Sequence, residues 1–292
     1  MKLLITGANG QLGMSVKKVA DRFPEFNFLY TDLAELDITD HDAIHSLIQK
    51  ENINGVINCA AFTAVDKAEE QIDLAYQINE TGPFNLAKAC QATKCFFIHI
   101  STEYVFSGKG FRPYSPDEKT NPASVYAKSK AAGEDSILKL NPDGWIVRTS
   151  WLYSEFGQNF VKTMLKLGRE REQLNVIADQ IGSPCYATDL AMAILSMLKK
   201  RQTSSKNKSG MAIYHYANTG CASWFDFTKA IMEIGGLECS VTPIPTEMYP
   251  LPAPRPFYSV LNTDSTVRDF GISIPYWRDS LMKCIETLLI NK

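Results

Sequence analysis

The chain has 292 residues, of which 45% are hydrophobic and 21% are charged, and its formal net charge is −2. This length suffices for one large domain or two with a substantial buried core, and the composition is that of a globular protein. Because the net charge is close to zero, there is no electrostatic drive toward nucleic acid or an anionic membrane, and we expect neither as a partner.

The cysteines indicate a reducing compartment. There are seven, an odd number, and no pair has the Cys-x-x-Cys spacing. The chain begins with a predicted core strand rather than a signal peptide, and no apolar run reaches membrane-spanning length, so we expect a cytoplasmic protein. The histidines are scattered and are interpreted as surface or core residues rather than metal ligands: His41, His45, His99 and His215.

The first predicted elements are a buried strand, Lys2 to Thr6, and a helix from Met14 to Arg22. Gly7, Gly10 and Gly13 lie between or just inside them with the spacing Gly-x-x-Gly-x-x-Gly. Glycine permits positive φ and close backbone approach, and a helix N-terminus offers N–H groups to a phosphate. The segment predicts a dinucleotide site; an ordinary glycine-rich turn is the alternative.

A second predicted strand, Phe26 to Thr31, ends at Asp32. An acidic residue at this separation meets the adenosine ribose hydroxyls, and its charge repels a 2′-phosphate, which favours NADH over NADPH. A loop or capping aspartate is the alternative. Thr39 or Asp40 is predicted to cap a helix from His41 to Lys50.

Strands and helices go on alternating, which predicts an α/β fold built on a Rossmann-like, doubly wound parallel sheet. The next predicted elements are strands from Gly55 to Ala61, Cys95 to Thr102 and Gly144 to Thr149, and helices from Tyr76 to Ala92 and Val125 to Leu140. Because ligands bind beyond the carboxyl ends of such strands, five residues are expected around one crevice: Gly10, Asp32, Ala60, Ala61 and Thr102.

The second half has longer irregular stretches and more proline. We predict a dinucleotide-binding domain over 1–150 and a smaller, mainly substrate-binding domain over 151–292, with some of its segments returning to the first. Arg201 to Gly210 is predicted as a flexible surface loop, and Met248 to Phe257, which contains four prolines, as a shaped loop.

Tyr126 and Lys130 carry the predicted chemistry, because they lie one turn apart on one face of a predicted helix. A phenol has an unperturbed pKa of about 10, and a nearby ammonium lowers it. Lys130 would therefore lower the pKa of Tyr126 and hold the nicotinamide ribose, while Tyr126 protonates a carbonyl oxygen as hydride arrives at its carbon. Thr102, at the end of the preceding strand, would bind the same oxygen. Such tyrosine–lysine pairs are common by chance, but their order after the glycine-rich turn favours an active site.

Together these motifs resemble the extended short-chain dehydrogenase/reductases, which act on nucleotide sugars. Within that group, longer segments along nearly the whole chain resemble the dTDP-4-dehydrorhamnose reductases. These segments are Asn58 to Glu69, Ser101 to Phe106, Arg148 to Tyr153, Asn159 to Met164, Asp179 to Pro184, and Arg255-Pro256 followed by Ser259 and Leu261 to Thr263.

The resemblance implies NADH or NADPH as coenzyme and a nucleotide sugar as substrate. The implied coenzyme contacts are Gly7, Gly10, Gln11, Leu12 and Gly13 at the pyrophosphate, Asp32, Asp37 and Ile38 at the adenosine, Ala60, Ala61, Phe62 and Thr63 behind the coenzyme, and Tyr126 and Lys130 at the nicotinamide. The implied substrate contacts are Thr102, Glu103, Trp151, Asn159 and Arg255, and the implied catalytic residues are Tyr126, Lys130 and Thr102. Other interpretations are a core or interdomain tryptophan for Trp151, a helix cap for Asn159 and a surface ion pair for Arg255.

Three positions depart from the pattern. Glu103 stands where aspartate is expected, Cys59 replaces a usual alanine and Phe62 a usual histidine. Members of this group can also bind Mg²⁺ through carboxylates at a dimer contact; those ligands cannot be placed in the sequence, so we predict no metal, and a homodimer is compatible with the resemblance.

Three functions follow. The first is reduction of the 4-keto group of dTDP-4-dehydro-L-rhamnose to dTDP-L-rhamnose. The second is a related epimerase, dehydratase or reductase of another 4-keto sugar, although the acid–base carboxylate pair of a dehydratase is incomplete at Glu103-Tyr104. The third is a coenzyme-binding regulator, which would usually lose Tyr126 or Lys130. We predict the first function.

Overall fold

The computed structural model describes residues 1–203 and 209–290. Its strands are β1 (Lys2–Thr6), β2 (Asn27–Tyr30), β3 (Gly55–Asn58), β4 (Phe96–Thr102), β5 (Gly144–Thr149), β6 (Leu152–Tyr153), β7 (Gln173–Ile177), β8 (Ile181–Gly182), β9 (Cys185–Tyr186), β10 (Met211–His215), β11 (Ala222–Ser223) and β12 (Ser240–Ile244). Its α-helices are α1 (Gln11–Val19), α2 (His41–Lys50), α3 (Val65–Glu70), α4 (Ile72–Tyr76), α5 (Gly82–Thr93), α6 (Val125–Leu140), α7 (Phe160–Glu170), α8 (Ala187–Thr203), α9 (Trp224–Ile234), α10 (Asp264–Phe270) and α11 (Trp277–Ile290).

Six parallel strands form the central sheet in the order β10-β5-β4-β3-β1-β2. This confirms the predicted Rossmann-like, doubly wound α/β fold. The sequence order reverses between β1 and β3, so the connections after these two strands leave on opposite sides and open a crevice at their carboxyl ends.

Apolar side chains cover both faces of this sheet. Leu3 and Ile5 of β1 lie in the core beneath α1 and α8, whereas Leu4 lies in the core beneath α2, α5 and α6. The alternation follows from the two-residue period of a strand, and it explains why the central strands are apolar throughout.

The second half builds a separate apolar core. Helices α7, α9 and α11 pack with the parallel pair β7 and β12, and Phe227, Leu281 and Ile285 are among its fully buried residues. Two later segments return to the central sheet, because β10 pairs with β5 and α8 packs on α1. The division at residue 150 stays a prediction.

Four predicted elements have the observed bounds: β1, α2, α6 and β5. The predicted start of the first helix at Met14 is wrong, because Gly10 is the N-cap and α1 begins at Gln11. The predicted helix from Tyr76 to Ala92 is also interrupted, since a π-helix over Gln77–Thr81 separates α4 from α5.

The loop predicted over 201–210 begins later than expected, because residues 201–203 end α8. Residues 204–208 lie outside the described part of the chain. Within the described residues, no helix combines the length and hydropathy needed to cross a membrane.

The π-helix approaches α6 at Gly133. A Cβ at this position would lie 2.1 Å from the backbone carbonyl oxygen of Asn79, so only glycine allows the two backbones to come this close. π-helical turns often occur at functional sites, and this one packs against the helix that carries Tyr126 and Lys130.

We expect Gly133→Ala to lower the free energy of unfolding. Alanine favours a helix over glycine by about 1 kcal/mol. Overlap in a packed interior costs about 1–3 kcal/mol, and the upper part of this range, about 2–3 kcal/mol, applies here because the overlap is with a backbone atom. Less the helix gain of about 1 kcal/mol, a net loss of about 1–2 kcal/mol is expected. Urea denaturation measures this loss, with Asp135→Ala on the exposed side of α6 as the control. Equal stability of the two variants would contradict the tight contact.

Candidate active site

The glycine-rich turn closes against the loop that follows β3. Gly7 has a φ of 62°, and a Cβ there would lie 2.6 Å from the backbone nitrogen of Ala60. A Cβ at Gly13 would lie 2.5 Å from the Cα of Ala8. Both glycines are therefore required by close backbone contacts, and the contact at Gly7 brings the ends of β1 and β3 together.

The N-terminus of α1 opens into this crevice. Gly10 is the N-cap, and no side chain caps the helix. The first backbone N–H groups of a helix, here those of Gln11 and Leu12, have no partner within the helix and carry its positive dipole end. This uncapped terminus fits a pyrophosphate, because the neighbouring glycines have no side chains to block its approach.

The predicted adenosine residues lie along the next loops. The carboxylate of Asp32 accepts hydrogen bonds of 2.9 Å from the backbone N–H groups of Asn9 and Leu33. Asp37 is exposed and accepts from the N–H and hydroxyl of Thr39, both at 2.8 Å. The side chain of Ile38 is buried in the core beside α5.

The predicted wall behind the coenzyme, 60–63, is held by two buried asparagines. Asn58 accepts a hydrogen bond of 3.1 Å from the N–H of Ala60. Asn79 accepts one of 2.8 Å from the N–H of Phe62 and donates one of 3.0 Å to the Phe62 carbonyl. Ala61 is partly exposed and Thr63 exposed, so the loop faces the crevice.

Tyr126 and Lys130 lie on α6 with buried side chains. The Nζ of Lys130 lies 2.8 Å from the carbonyl oxygen of Ile100 and 3.2 Å from Nε2 of His99. The ring of Tyr126 packs edge-on against Tyr104, with centroids 5.5 Å apart. The structure therefore brings the predicted pair together at the end of β4.

In the ligand-free chain the pKa of Tyr126 is raised rather than lowered, and the lowering expected from Lys130 beside the bound coenzyme stays a prediction. Burial, followed by the charge of Glu103, raises the pKa of Tyr126 well above its usual range, and a hydrogen bond with Thr102 opposes this only in part. Burial also lowers the pKa of Lys130 to about 8. Both shifts have one cause, since a dry site disfavours each charged form.

Thr102 has a single hydroxyl proton, and this proton is used in a hydrogen bond to Glu103. Its Oγ1 donates to Oε2 of Glu103 at 2.7 Å and accepts from the N–H of Tyr104 at 3.2 Å. Burial raises the pKa of Glu103 to about 7, opposed by its hydrogen bonds to Thr102 and to the backbone of Trp151. Thr102 therefore offers its lone pairs to the crevice while Glu103 is ionised.

The three other predicted substrate residues are placed differently from one another. Trp151, with a φ of 41°, stacks on Trp224 with ring centroids 3.5 Å apart. Asn159 is the N-cap of α7, and its side chain donates a hydrogen bond of 3.0 Å to the side chain of Gln11. Arg255 forms an ion pair of 2.7 Å with Asp66. The interpretation of Asn159 as a helix cap is thus correct, and its side chain also contacts the glycine-rich helix.

A cavity of about 720 Å³ lies beside this crevice. Its walls come from α7, α9, β7 and the proline-rich loop, and they are mainly apolar with two arginines, Arg171 and Arg255. Its lining includes Tyr104, Phe160, Met164, Trp224, Ile244 and Arg255. Asn159 is not part of this lining. The volume and chemistry suit a ligand with an apolar or aromatic part and a negative charge.

The sequence profile of the family described as the RmlD substrate binding domain matches residues 1–290. This chain belongs to that family.

Solved structures and curated sequences agree with the assignment to the RmlD substrate binding domain family. The chain is similar to a dTDP-4-dehydrorhamnose reductase of Aggregatibacter actinomycetemcomitans, with 40% identity over 96% of this chain and 97% of the relative. It is similar to the crystal structure of a dTDP-4-dehydrorhamnose reductase from Clostridium acetobutylicum, with a TM-score of 0.92, 41% identity, and coverage of 99% and 100% of the two chains. A third match is the Bacillus anthracis dTDP-4-dehydrorhamnose reductase in complex with NADP, with a TM-score of 0.90, 38% identity, and coverage of 98% and 99%.

In this RmlD-family chain, sequence reasoning missed Asn79 and His99 as part of the site, and it used Asn58 only as part of a matching segment. All three are fully buried polar side chains next to site residues. A signal was present for two of them, since Asn58 and His99 are polar residues inside otherwise apolar predicted strands, where an unpaired polar group would be costly. Within the described residues, no three His, Cys, Asp or Glu side chains are grouped so as to hold a metal; the absence of a metal stays a prediction.

We expect Glu103 to make the stability of the protein depend on pH. Its folded pKa of about 7 exceeds the ordinary value of 4.5. The contribution of the protonated Glu103 carboxyl to the free energy of unfolding is therefore present in full below pH 4.5 and is lost as the pH rises through about 7. This loss is on the order of 3 kcal/mol. Glu103→Gln should remove this dependence.

Denaturation of the wild type and of Glu103→Gln at pH 5 and pH 8 measures the effect, with exposed Glu172→Gln as the matched control. If the wild type and Glu103→Gln lose the same free energy of unfolding between the two pH values, the buried carboxyl is not the titrating group.

Proposed function

We propose that this protein reduces the C4 keto group of dTDP-4-dehydro-L-rhamnose to dTDP-L-rhamnose with NADH or NADPH. The observation that carries the proposal is its alignment, over nearly its full length, with dTDP-4-dehydrorhamnose reductases. The crevice geometry supports it independently, since a pyrophosphate-compatible helix terminus and a tyrosine–lysine pair lie at one edge of the sheet.

The bound coenzyme supplies the hydride that adds to C4 of the sugar. Tyr126 donates its phenolic proton to the oxygen of the same carbonyl. A proton donor must start protonated, and the raised pKa of the buried phenol ensures this near neutral pH. Lys130 is proposed to bind the ribose hydroxyls next to the nicotinamide, and the hydrogen bond from its Nζ to the carbonyl of Ile100 supports this by fixing the amine.

Thr102 orients the reacting groups through its hydroxyl. In the ligand-free site this hydroxyl is hydrogen-bonded to both Glu103 and Tyr126. It therefore links Glu103, a proposed substrate contact, to the proposed proton donor. It can donate to the keto oxygen only when it releases Glu103, a step that is easier when Glu103 is protonated. Glu103 therefore controls whether Thr102 can offer its hydroxyl proton to the keto oxygen.

The nucleotide part of the substrate is proposed to occupy the 720 Å³ cavity. Arg255 in its lining has the planar, bidentate donors that suit a diphosphate, and Asp66 holds the guanidinium in place. The stacked pair of Trp151 and Trp224 provides a flat apolar wall for the sugar. Asn159 is proposed to act at the edge of this site through Gln11.

The coenzyme preference is proposed to favour NADH, although the Bacillus anthracis relative was solved with NADP. Asp32 presents a carboxylate at the end of β2. A second carboxylate, that of Glu35, lies nearby and accepts a hydrogen bond of 2.9 Å from the backbone N–H of Asp32. Two carboxylates disfavour a 2′-phosphate more than one.

Two parts of the proposal concern the protein's setting. A cytoplasmic location is supported by seven cysteines that are all free. A homodimer stays a proposal, to be checked by light scattering of the purified protein.

The function is tested by following NADH or NADPH oxidation with dTDP-4-dehydro-L-rhamnose, made in place from dTDP-glucose by a dehydratase and an epimerase. Coenzyme consumption with formation of dTDP-L-rhamnose is the expected result. No consumption by a protein that still binds coenzyme would reject this substrate and direct the assay to other 4-keto sugars.

We expect Tyr126→Phe to reduce turnover by about 100- to 10,000-fold, the range for loss of a general acid. Coenzyme affinity should change little, because the aromatic ring keeps its packing against Tyr104. Steady-state kinetics and coenzyme titration measure both. Tyr214→Phe, which removes a hydroxyl bound to Asp269 far along the sheet, is the control. Turnover retained in Tyr126→Phe would rule out this proton donor.

We expect Asp32→Ser to raise the ratio of kcat/KM for NADPH to that for NADH about tenfold, which corresponds to about 1.4 kcal/mol. Both coenzymes will bind more weakly, since Asp32 also orders the turn through Asn9, so the ratio is the informative quantity. Exposed Asp42→Ser is the control. An unchanged ratio would mean that Asp32 does not face the 2′ position.

A further inference from the structure

Trp151 has a backbone conformation that is unusual for a tryptophan. Its φ of 41° lies in the left-handed region, which bulky residues rarely adopt. In the described part of the chain, the other non-glycine residues with positive φ, Asn52, Lys94 and Asn141, lie at or just after helix ends. Trp151 instead lies between β5 and β6. Strain of this kind persists only where surrounding contacts hold it, and it clusters at functional sites.

Two contacts hold the ring of Trp151. Its indole is stacked on that of Trp224 in α9, with ring centroids 3.5 Å apart and an angle of 6° between the planes. The ring also lies against Gly182 of β8, where a Cβ would lie 2.4 Å from Cε2 of Trp151. Elements of the second half of the chain, α9 and β8, therefore fix the ring of a residue that directly follows the central sheet.

Both polar groups of the Trp151 backbone are also used. Its carbonyl oxygen accepts a hydrogen bond of 3.1 Å from the backbone N–H of Cys185. Its own N–H donates to the buried carboxyl of Glu103. Rotation about φ turns this N–H relative to the ring and the carbonyl of Trp151. Because the stack fixes the ring and Cys185 fixes the carbonyl, the two contacts together set the direction of the N–H.

We propose that Trp224 is a positioning residue that holds Trp151 in its left-handed conformation and thereby keeps the Trp151 N–H on Glu103. Trp224 acts through Trp151 and not on the reacting atoms. Glu103 also accepts from Oγ1 of Thr102 at 2.7 Å, so a continuous series of contacts runs from α9 to the end of β4. Trp224 lines the 720 Å³ cavity, which brings an occupant of that cavity into contact with this series.

The other groups that face Glu103 carry no charge near neutral pH. The titratable groups among them are Tyr104, Tyr126 of α6 and Cys185 of β9. Burial raises the pKa of each of these three side chains far above neutrality. The hydrogen bonds from Thr102 and from the Trp151 N–H are therefore the contacts that stabilise the Glu103 carboxylate against its burial.

The consequence for catalysis rests on the proposed function. A hydrogen bond from the Trp151 N–H favours the ionised form of Glu103 and so lowers its pKa. Without the Trp224 ring, Trp151 can relax, the hydrogen bond weakens and the pKa of Glu103 rises above about 7. Protonated Glu103, which releases the Thr102 hydroxyl more easily, would then persist to higher pH. The alkaline limb of the kcat–pH profile should move up with it.

The contact between Trp151 and Glu103 can be measured by NMR in the ligand-free protein. The ¹³C signal of the Glu103 carboxyl, identified with Glu103→Gln, reports its protonation. Labelling with ¹⁵N-tryptophan marks four backbone amides, and Trp151→Phe identifies that of Trp151. Both signals should titrate with one midpoint, because the amide donates to this carboxyl. A Trp151 amide that does not follow Glu103 would overturn the proposal without any variant of Trp224.

Trp224→Met tests the positioning role, because it removes the ring but leaves a flexible apolar side chain in its place. The midpoint of Glu103 should rise by about one pH unit, and the Trp151 amide should no longer follow it. Trp224→Tyr keeps a stacking ring and should restore most of the wild-type midpoint. Phe225→Met is the matched control, since it removes a ring from the next residue of α9, which packs on the same core.

An unchanged Glu103 midpoint in folded Trp224→Met would overturn the positioning role. A shift of equal size in Phe225→Met would overturn it too, since it would show a general effect of packing in this core. Absence of reductase activity in the wild type would count against the proposed function alone, because the NMR midpoints are read without substrate. The two failures are therefore distinguishable.

Discussion

The constraint on which the candidate active site depends is a row of buried polar side chains that runs from Thr6 through Asn58 and His99 to Lys130. Placing polar side chains inside an apolar sheet is costly unless each is paired, and here each pairing also fixes a functional group. Asn58 holds the loop at Ala60, which closes on Gly7, and His99 holds Lys130. The same contacts that satisfy the buried groups thus set the width of the crevice and the position of the lysine.

Burial then determines the proton chemistry. The pKa values of Tyr126 and Glu103 rise and that of Lys130 falls, because each group becomes less charged in a dry environment. For a reductase this direction is productive. In the proposed mechanism Tyr126 begins with its proton, and the hydroxyl of Thr102 connects Tyr126 to Glu103.

The candidate site is built from both halves of the chain, which contact each other there. Gln11 at the start of α1 accepts from both Ser154 and Asn159, and Arg255 of the proline-rich loop pairs with Asp66. A substrate in the neighbouring cavity would therefore contact a loop that is tied to the coenzyme wall. In the proposed arrangement, substrate specificity and coenzyme binding therefore share supporting residues.

The amino-acid sequence by itself determined the alternation of strands and helices, the bounds of β1, α2, α6 and β5, the glycine-rich turn and the tyrosine–lysine spacing. These are local patterns of hydrophobicity, capping and helical period, which act over a few residues. Only the tertiary structure decided the raised pKa of Tyr126, the pairing of Asn79 with Phe62 across 17 residues and the row from Thr6 to Lys130. Desolvation and hydrogen bonds between distant segments exist only after packing, so no local pattern of residues specifies them.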